Sequence, residues 1–280
     1  MTHLYQTNRL AVTEVSSKGV YVDGREYGSI FLKEAPDHLQ EGDQVNAFVY
    51  QDASDRVVAT MAKARVQVGE CAYLKVVSLG DNGAFLDWGL PKDLLLPYSE
   101  QAYPVREGGS CVVYVYLDEN TNRAVATTLL HQHLEEEYTD LQPKQAVDLL
   151  IAAKSDLGFK AVINNAYLGL IYHDELSQPL AFGTRIKGWV KAIRDDGKVD
   201  LSINTLDQKT RDQLELRILK QLQQAGGRME LSDKSDPELI FKVFKVSKKN
   251  FKRALSSLYK QRLIIIKPES IALVVHDQSD

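Results

Sequence analysis

The sequence has only two cysteines, Cys71 and Cys111, in 280 residues. Two isolated thiols make neither a disulfide framework nor a zinc site, and they fit a reducing cytosol. Long apolar runs are missing too. The longest, such as Leu263 to Ile266, are far too short to cross a bilayer. The first ten residues carry Asn8 and Arg9 and no apolar stretch, so no signal peptide is expected. The chain lacks a Gly-rich phosphate loop followed by Lys-Ser/Thr, paired metal-ligand spacing, and a recognisable nucleophile with its base. These absences predict a soluble cytoplasmic protein that is not an enzyme, needs no cofactor and makes no membrane contact.

What is present is unevenly charged. The net charge of −4 conceals a gradient: residues 1–140 carry −10, residues 141–206 carry +1, and residues 207–268 carry +8. A basic C-terminal half on an acidic chain predicts that a polyanion binds there. A merely solubilising surface would mix the signs throughout.

A repeat organises the first two hundred residues. Glu41-Gly42 and Glu107-Gly108 each open an alternating segment. In the first, Val45, Ala47 and Val49 share one face and Phe48 and Tyr50 the other. In the second, Cys111, Val113 and Val115 match the former set and Tyr114 and Tyr116 the latter. A third copy starts at Phe182-Gly183, with Ile186, Gly188 and Val190 inside and Trp189 outside. Each copy has an acidic turn and a closing strand, at 56–60, 123–127 and 198–203. Period-two alternation bounded by Gly, Asp and Asn turns means antiparallel β-structure with one buried face. About 65 residues per copy suits five short strands closed into a small barrel, which leaves no exposed edge.

These copies resemble the ribosomal-protein S1 type of RNA-binding domain, an OB-fold barrel. Gly83-Ala84-Phe85-Leu86-Asp87 is similar to the family's Gly-Ala-Phe-Val-Asp strand. Leu95-Leu96-Pro97-Tyr98-Ser99-Glu100 is similar to its Leu-Val-His-Ile-Ser-Glu strand and turn. Copy three offers Leu170-Ile171-Tyr172-His173-Asp174-Glu175, and copy one Gly19-Val20-Tyr21-Val22 and Gly28-Ser29-Ile30-Phe31. The departures are specific. The family's aromatic before the Gly-Ala-Phe strand is replaced by Lys18, Asn82 and Leu157, and its His slot is read as Phe31, Pro97 and Tyr172. Copy two therefore reads as stripped of stacking residues, and it is acidic.

The pattern turns helical from Leu206. Leu214, Ile218 and Leu222 recur every four residues until Gly226-Gly227. Ser235-Asp236-Pro237-Glu238 is a helix start, with Pro in the first turn. Ser247 caps a third helix, in which Phe251, Ala254, Leu255 and Leu258 form the apolar face. Lys248, Lys249, Lys252, Arg253, Ser256 and Lys260 lie in an opposite arc of roughly 140°. Two apolar strands follow, around Lys267-Pro268-Glu269-Ser270. Helix, helix, short turn, basic helix and hairpin is a winged helix. This arrangement and the segment 235–255 resemble the bacterial conserved virulence factor B family. The resemblance implies cytoplasmic RNA binding with a regulatory, post-transcriptional role in Gram-positive bacteria.

The expected architecture is mainly β with α: barrels at 1–64, 65–130 and 144–205, a linker helix at 131–143, and a winged helix at 206–280. The expected RNA-binding residues are Lys154, Lys160, Tyr172, Lys187 and Lys191 in copy three, Lys248, Lys249, Lys252, Arg253 and Lys260 in the basic helix, and Tyr21 and Phe31 in copy one. Phe85 is the stacking candidate of copy two. Bases stack on exposed aromatics of strands two and three of such barrels while Lys and Arg follow the backbone. The alternative is that these rings pack between barrels. Phe48, Tyr114 and Trp189 are assigned to packing outside the barrel core or between domains, and His131-x-His133 supplies too few ligands for a metal. The leading expectation is single-stranded RNA held in one basic groove of barrel three and the winged helix. The others are a DNA-binding regulator, and a protein scaffold on the ribosome or an RNA-decay complex.

Overall fold

The computed structural model describes residues 1–134, 140–173, 176, 180–203 and 208–274, the side chains of 208–212 excepted. Fifteen strands make three closed barrels. The first contains β1 (Gln6–Ser16), β2 (Gly19–Asp23), β3 (Ser29–Lys33), β4 (Gln44–Gln51) and β5 (Val57–Thr60). The second contains β6 (Cys71–Gly80), β7 (Gly83–Asp87), β8 (Leu94–Pro97), β9 (Ser110–Leu117) and β10 (Ala124–Thr127). The third contains β11 (Ala146–Lys154), β12 (Gly158–Ile163), β13 (Tyr167–Tyr172), β14 (Arg185–Ile193) and β15 (Val199–Ser202). In all three the third and fifth strands pair in parallel and the fourth strand closes onto the first.

The Glu-Gly motif now has a physical reason. Gly42, Gly108 and Gly183 take positive φ of 92°, 76° and 77°, a conformation glycine adopts without steric cost. Each donates its N–H to one first-strand carbonyl, that of Val12, Val76 or Ile151, at 2.8–3.0 Å. Immediately after that residue the first strand bulges, between Val12 and Glu14, Val76 and Ser78, and Ile151 and Ala153. One bulge per barrel, pinned by one glycine, supplies the bend that closure requires. A second glycine position is enforced by contact. A Cβ on Gly83 would lie 2.3 Å from the Leu96 carbonyl oxygen, and one on Gly158 2.0 Å from that of Ile171.

The chain divides into two compact units, residues 1–135 with 165–167, and 136–164 with 168–280. Within the first, barrels one and two share one apolar cluster. Phe48 meets Trp88 edge-on with centroids 5.8 Å apart, and Tyr5 lies 6.3 Å from the same indole. Phe48 thus packs between barrels, as its position outside the alternation implied.

The second unit ends in α1 (Gln208–Gln224), β16 (Arg228–Met229), α2 (Pro237–Phe244), α3 (Lys248–Lys260), β17 (Ile264–Ile266) and β18 (Ile271–Leu273), with sheet order β16-β18-β17. This is a winged helix. Asp236 caps α2 by accepting from the Glu238 N–H, and Ser247 caps α3 by accepting from the Asn250 N–H. Phe244 and Phe251 are fully buried and stack at 5.1 Å, joining α2 to α3. Leu214, Ile218 and Leu222 bury the α1 stripe against them.

A 3-10 turn at Leu130–Gln132 begins the segment expected as a linker helix, of which 135–139 lie outside the described residues. Asp174 and Glu175 of the copy-three motif, and Val275 of the expected last strand, also lie outside them. Among the described residues no helix is long and apolar enough to cross a membrane.

Candidate nucleic-acid interface

The outer face of barrel three gathers three of the expected residues. Tyr172 ends β13, half-buried, and its hydroxyl donates to an Asp200 carboxylate oxygen at 3.3 Å. Lys191 on β14 places Nζ 5.5 Å from the centre of the Tyr172 ring, a cation–π geometry. Asp200 is also ion-paired with Arg194, whose Nε lies 3.1 Å from its carboxylate. Gly158 lies against Ile171 and Tyr172, so exposed Lys160, two residues along β12, projects from the same face. Lys154 is exposed at the end of β11, opposite Phe159. Lys187 is exposed but is held by Asp148 at 2.7 Å, about 13 Å along β14 from Lys191. Barrel three therefore offers Lys160, Tyr172 and Lys191 together, and Lys187 apart from them.

In barrel one the strand pairing corrects the sequence register. Phe31 pairs with Val58, as Leu95 pairs with Val125 and Leu170 with Asp200. The slot equivalent to Pro97 and Tyr172 is therefore Lys33, two residues beyond Phe31. The short strand Gly28-Ser29-Ile30-Phe31 gave no anchor against a two-residue slip, which leaves every side chain on its original face. Lys33 places Nζ 5.4 Å from the centre of the Tyr50 ring and 3.8 Å from Asp52. Tyr21 and Phe31 remain neighbours on the outer face, edge to face at 5.6 Å, with Phe31 exposed.

The basic helix separates into two rows. Lys248 donates to the Lys234 carbonyl at 3.2 Å, and Lys252 lies 3.9 Å from Asp233. Lys249, Arg253 and Lys260 form the second row, at spacings of four and seven. Arg253 and Lys260 are exposed and have no ion-pair partner among the described residues. Asn250 is buried on the core side with Phe251, Ala254, Leu255 and Leu258.

The structure also reveals a cleft that sequence reasoning missed. It has a volume of about 580 Å³ and lies between barrels one and two. Phe85, Leu95, Pro97 and Tyr116 supply the wall from barrel two, and Tyr5 and Tyr50 that from barrel one. Trp88 forms part of the lining, with its indole N–H donating to the Lys92 carbonyl at 2.6 Å. Tyr116 stacks on His133 at 4.5 Å. Burial first, and then Glu100, to which its hydroxyl hydrogen-bonds, push the Tyr116 phenol up to about 12. The second copy thus brings aromatics to this cleft from more than one strand: Phe85 from the family-motif strand β7, and Tyr116 from β9. The Cys111 thiol is pushed to about 11 by burial alone, which leaves it unreactive.

Comparison with known proteins fits this architecture. An S1 domain model matches residues 6–62 and 68–129, and a CvfB-like winged helix domain model matches residues 216–273. An uncharacterized protein of Bacillus subtilis, YitL, is 30% identical over 251 residues, covering 85% of this chain and 82% of that protein. Conserved virulence factor B of Staphylococcus saprophyticus is 26% identical over 245 residues, covering 85% and 82%. A solved multidomain protein with nucleic acid binding domains from Streptococcus pneumoniae is 21% identical, covering 97% of this chain and 98% of that one, with a TM-score of 0.40. Similarity that runs through the barrels and into the winged helix places the chain in the conserved virulence factor B family.

Proposed function

We propose that this chain is a non-enzymatic, cytoplasmic RNA-binding regulator that grips single-stranded RNA through barrel three and the basic helix α3. One observation carries the reading: Tyr172, Lys191 and Lys160 share the outer face of β12–β14. That face offers a ring for a base and cations for the backbone, which is how OB barrels hold single strands. The exposed row of α3, with Arg253 and Lys260, adds phosphate contacts without base readout. Barrel three belongs to the same compact unit as the winged helix, and that half of the sequence carries the excess positive charge.

A direct competition tests this. Labelled oligouridylate bound to the full chain is challenged with unlabelled single-stranded RNA or with duplex DNA of equal length. RNA should displace the probe at lower concentration than the duplex. A duplex that competes better would move the function to DNA regulation through α3. Failure of the probe to bind at all would leave protein docking as the role of the chain.

A further inference from the structure

We propose that the cleft between barrels one and two is a docking site for an arginine side chain of a protein partner. This is a second site, independent of the RNA face of barrel three.

The cleft's chemistry suits a cation on a flat head. Its volume, about 580 Å³, admits one long side chain with part of its backbone. Its walls are aromatic, with Tyr116 and Phe85 half-buried and presenting ring surface to the opening. Guanidinium groups stack on such rings and lose less hydration than an ammonium when buried. Three carboxylates, Asp93, Glu100 and Asp118, line the same space. Asp118 is spent on the Thr121 N–H and hydroxyl at 2.8 and 2.7 Å. Glu100 is only partly spent: its carboxylate accepts from the Tyr116 hydroxyl, but its Oε2 is buried with no hydrogen-bond partner among the described residues. A buried carboxylate oxygen without a donor is costly, and an incoming N–H would relieve that cost. Asp93 is held above its ordinary value by burial and by nearby Asp87, which is itself ion-paired with Arg65.

Three carboxylates outnumber the two cations in the lining, Arg123 and Lys92. Of these, Arg123 is already ion-paired with Asp55. Residues 1–140 carry −10, which repels a phosphate backbone and attracts a basic protein segment. Aromatic rings alone would suit a nucleobase equally well. The carboxylate oxygen left without a donor and the surrounding charge favour arginine.

The test uses the full chain and a labelled Gly-Arg-Gly-Arg-Gly peptide, with a citrulline version as the uncharged control of equal shape. The arginine peptide should bind and the citrulline peptide should not. Glu100→Gln should weaken binding roughly tenfold with an unchanged melting temperature. Asp93→Asn, a second change within the cleft, should weaken it in the same direction. Glu41→Gln, an equal charge change on an exposed residue outside the cleft, should leave affinity within about twofold. Equal loss in Glu41→Gln would show mere charge attraction and overturn the proposal, as would absent binding or full affinity in both cleft variants. Displacement of the peptide by an oligouridylate that still binds the Tyr172→Ala chain would make the cleft a nucleic-acid seat instead. Loss of RNA binding at barrel three would leave the peptide result untouched, so the two readings fail separately.

Discussion

The ammonium group of Lys191 lies 5.5 Å from the centre of the Tyr172 ring, on the outer face of barrel three. Barrel one has a similar pair with the roles exchanged: Lys33 is at the strand position of Tyr172, and Tyr50 on the fourth strand is at that of Ala192, next to the bulge residue Lys191. In barrel one the lysine also meets Asp52, and the ring is buried. In barrel three the ring is half-buried, and Lys160 projects from the same face, two residues along β12 from the glycine that lies against it. The same two residue types thus give a packed edge in one barrel and a surface for stacking in the other.

For Tyr172 the expected outcome is a split between binding and stability. Tyr172→Ala should cost about 1–3 kcal/mol of RNA affinity. Tyr172→Phe should cost little, because it removes only the 3.3 Å hydrogen bond to Asp200 and keeps the ring. Affinity and melting temperature of both variants decide the matter. A large fall in melting temperature for Tyr172→Ala, with affinity per folded molecule intact, would assign the ring to packing.

The two rows of α3 should behave differently. Arg253→Ala with Lys260→Ala should weaken binding to all RNA sequences alike and flatten the salt dependence by roughly 0.7 log unit per lost contact. Lys248→Ala with Lys252→Ala should do less, because those side chains already meet the Lys234 carbonyl and Asp233. Salt titrations of the two double variants compare them directly. Equal slopes in both, unchanged from the parent chain, would leave α3 without a phosphate role.

Gly158→Ala should be severe. The added Cβ would fall 2.0 Å from the Ile171 carbonyl oxygen, backbone that cannot swing aside. Overpacking of this kind costs about 1–3 kcal/mol or more, and here it separates β12 from β13. Calorimetry should show a weakened transition, with RNA affinity lost in parallel because Tyr172 sits on the displaced strand.

Acid should release a clamp in barrel one. Burial works to raise the Asp52 carboxyl, but hydrogen bonds from the Ser54 N–H, the Arg56 guanidinium and the Arg56 N–H outweigh it and hold the group below its ordinary value. A depressed folded value means that the stabilisation is complete above the ordinary Asp pKa of about 3.9, and is lost as the pH falls through the lower, folded one. Asp52→Ala should therefore cost about 1–3 kcal/mol near neutrality. The difference between the two melting curves should shrink below about pH 4. A gap that stays constant down to that range would mean that charge is not what Asp52 contributes.

Much of this was legible in the chain itself. Alternation in 45–50, 111–116 and 186–190 reports the strands, because each barrel buries one face. Asp236 and Ser247 report the helix starts, because an exposed N-terminus needs an acceptor. The register of β3 was not legible: a slip of two residues leaves the alternation unchanged, and only the parallel pairing with β5 distinguishes Phe31 from Lys33. The cleft was not legible either. Tyr5 and Glu100 are 95 positions apart, and their shared lining depends on how two barrels dock, which no local periodicity encodes.

The glycine-pinned bulge, present once in every barrel, carries a hazard during folding. Three first strands offer the same hydrogen-bonding pattern to three fourth strands, so the backbone alone would accept a strand borrowed from a neighbouring copy. Side-chain volume discriminates where the backbone does not. Barrel three sets Gly188 so close to Leu149 that a Cβ would lie 2.3 Å from its Cδ1 and 3.1 Å from the Ser202 carbonyl oxygen. Strands carrying Ala47 or Val113 at that position bring the missing carbon with them and would have to force Leu149 out of its seat. Divergence inside the repeat thus disfavours the exchange of strands between copies that share one backbone pattern.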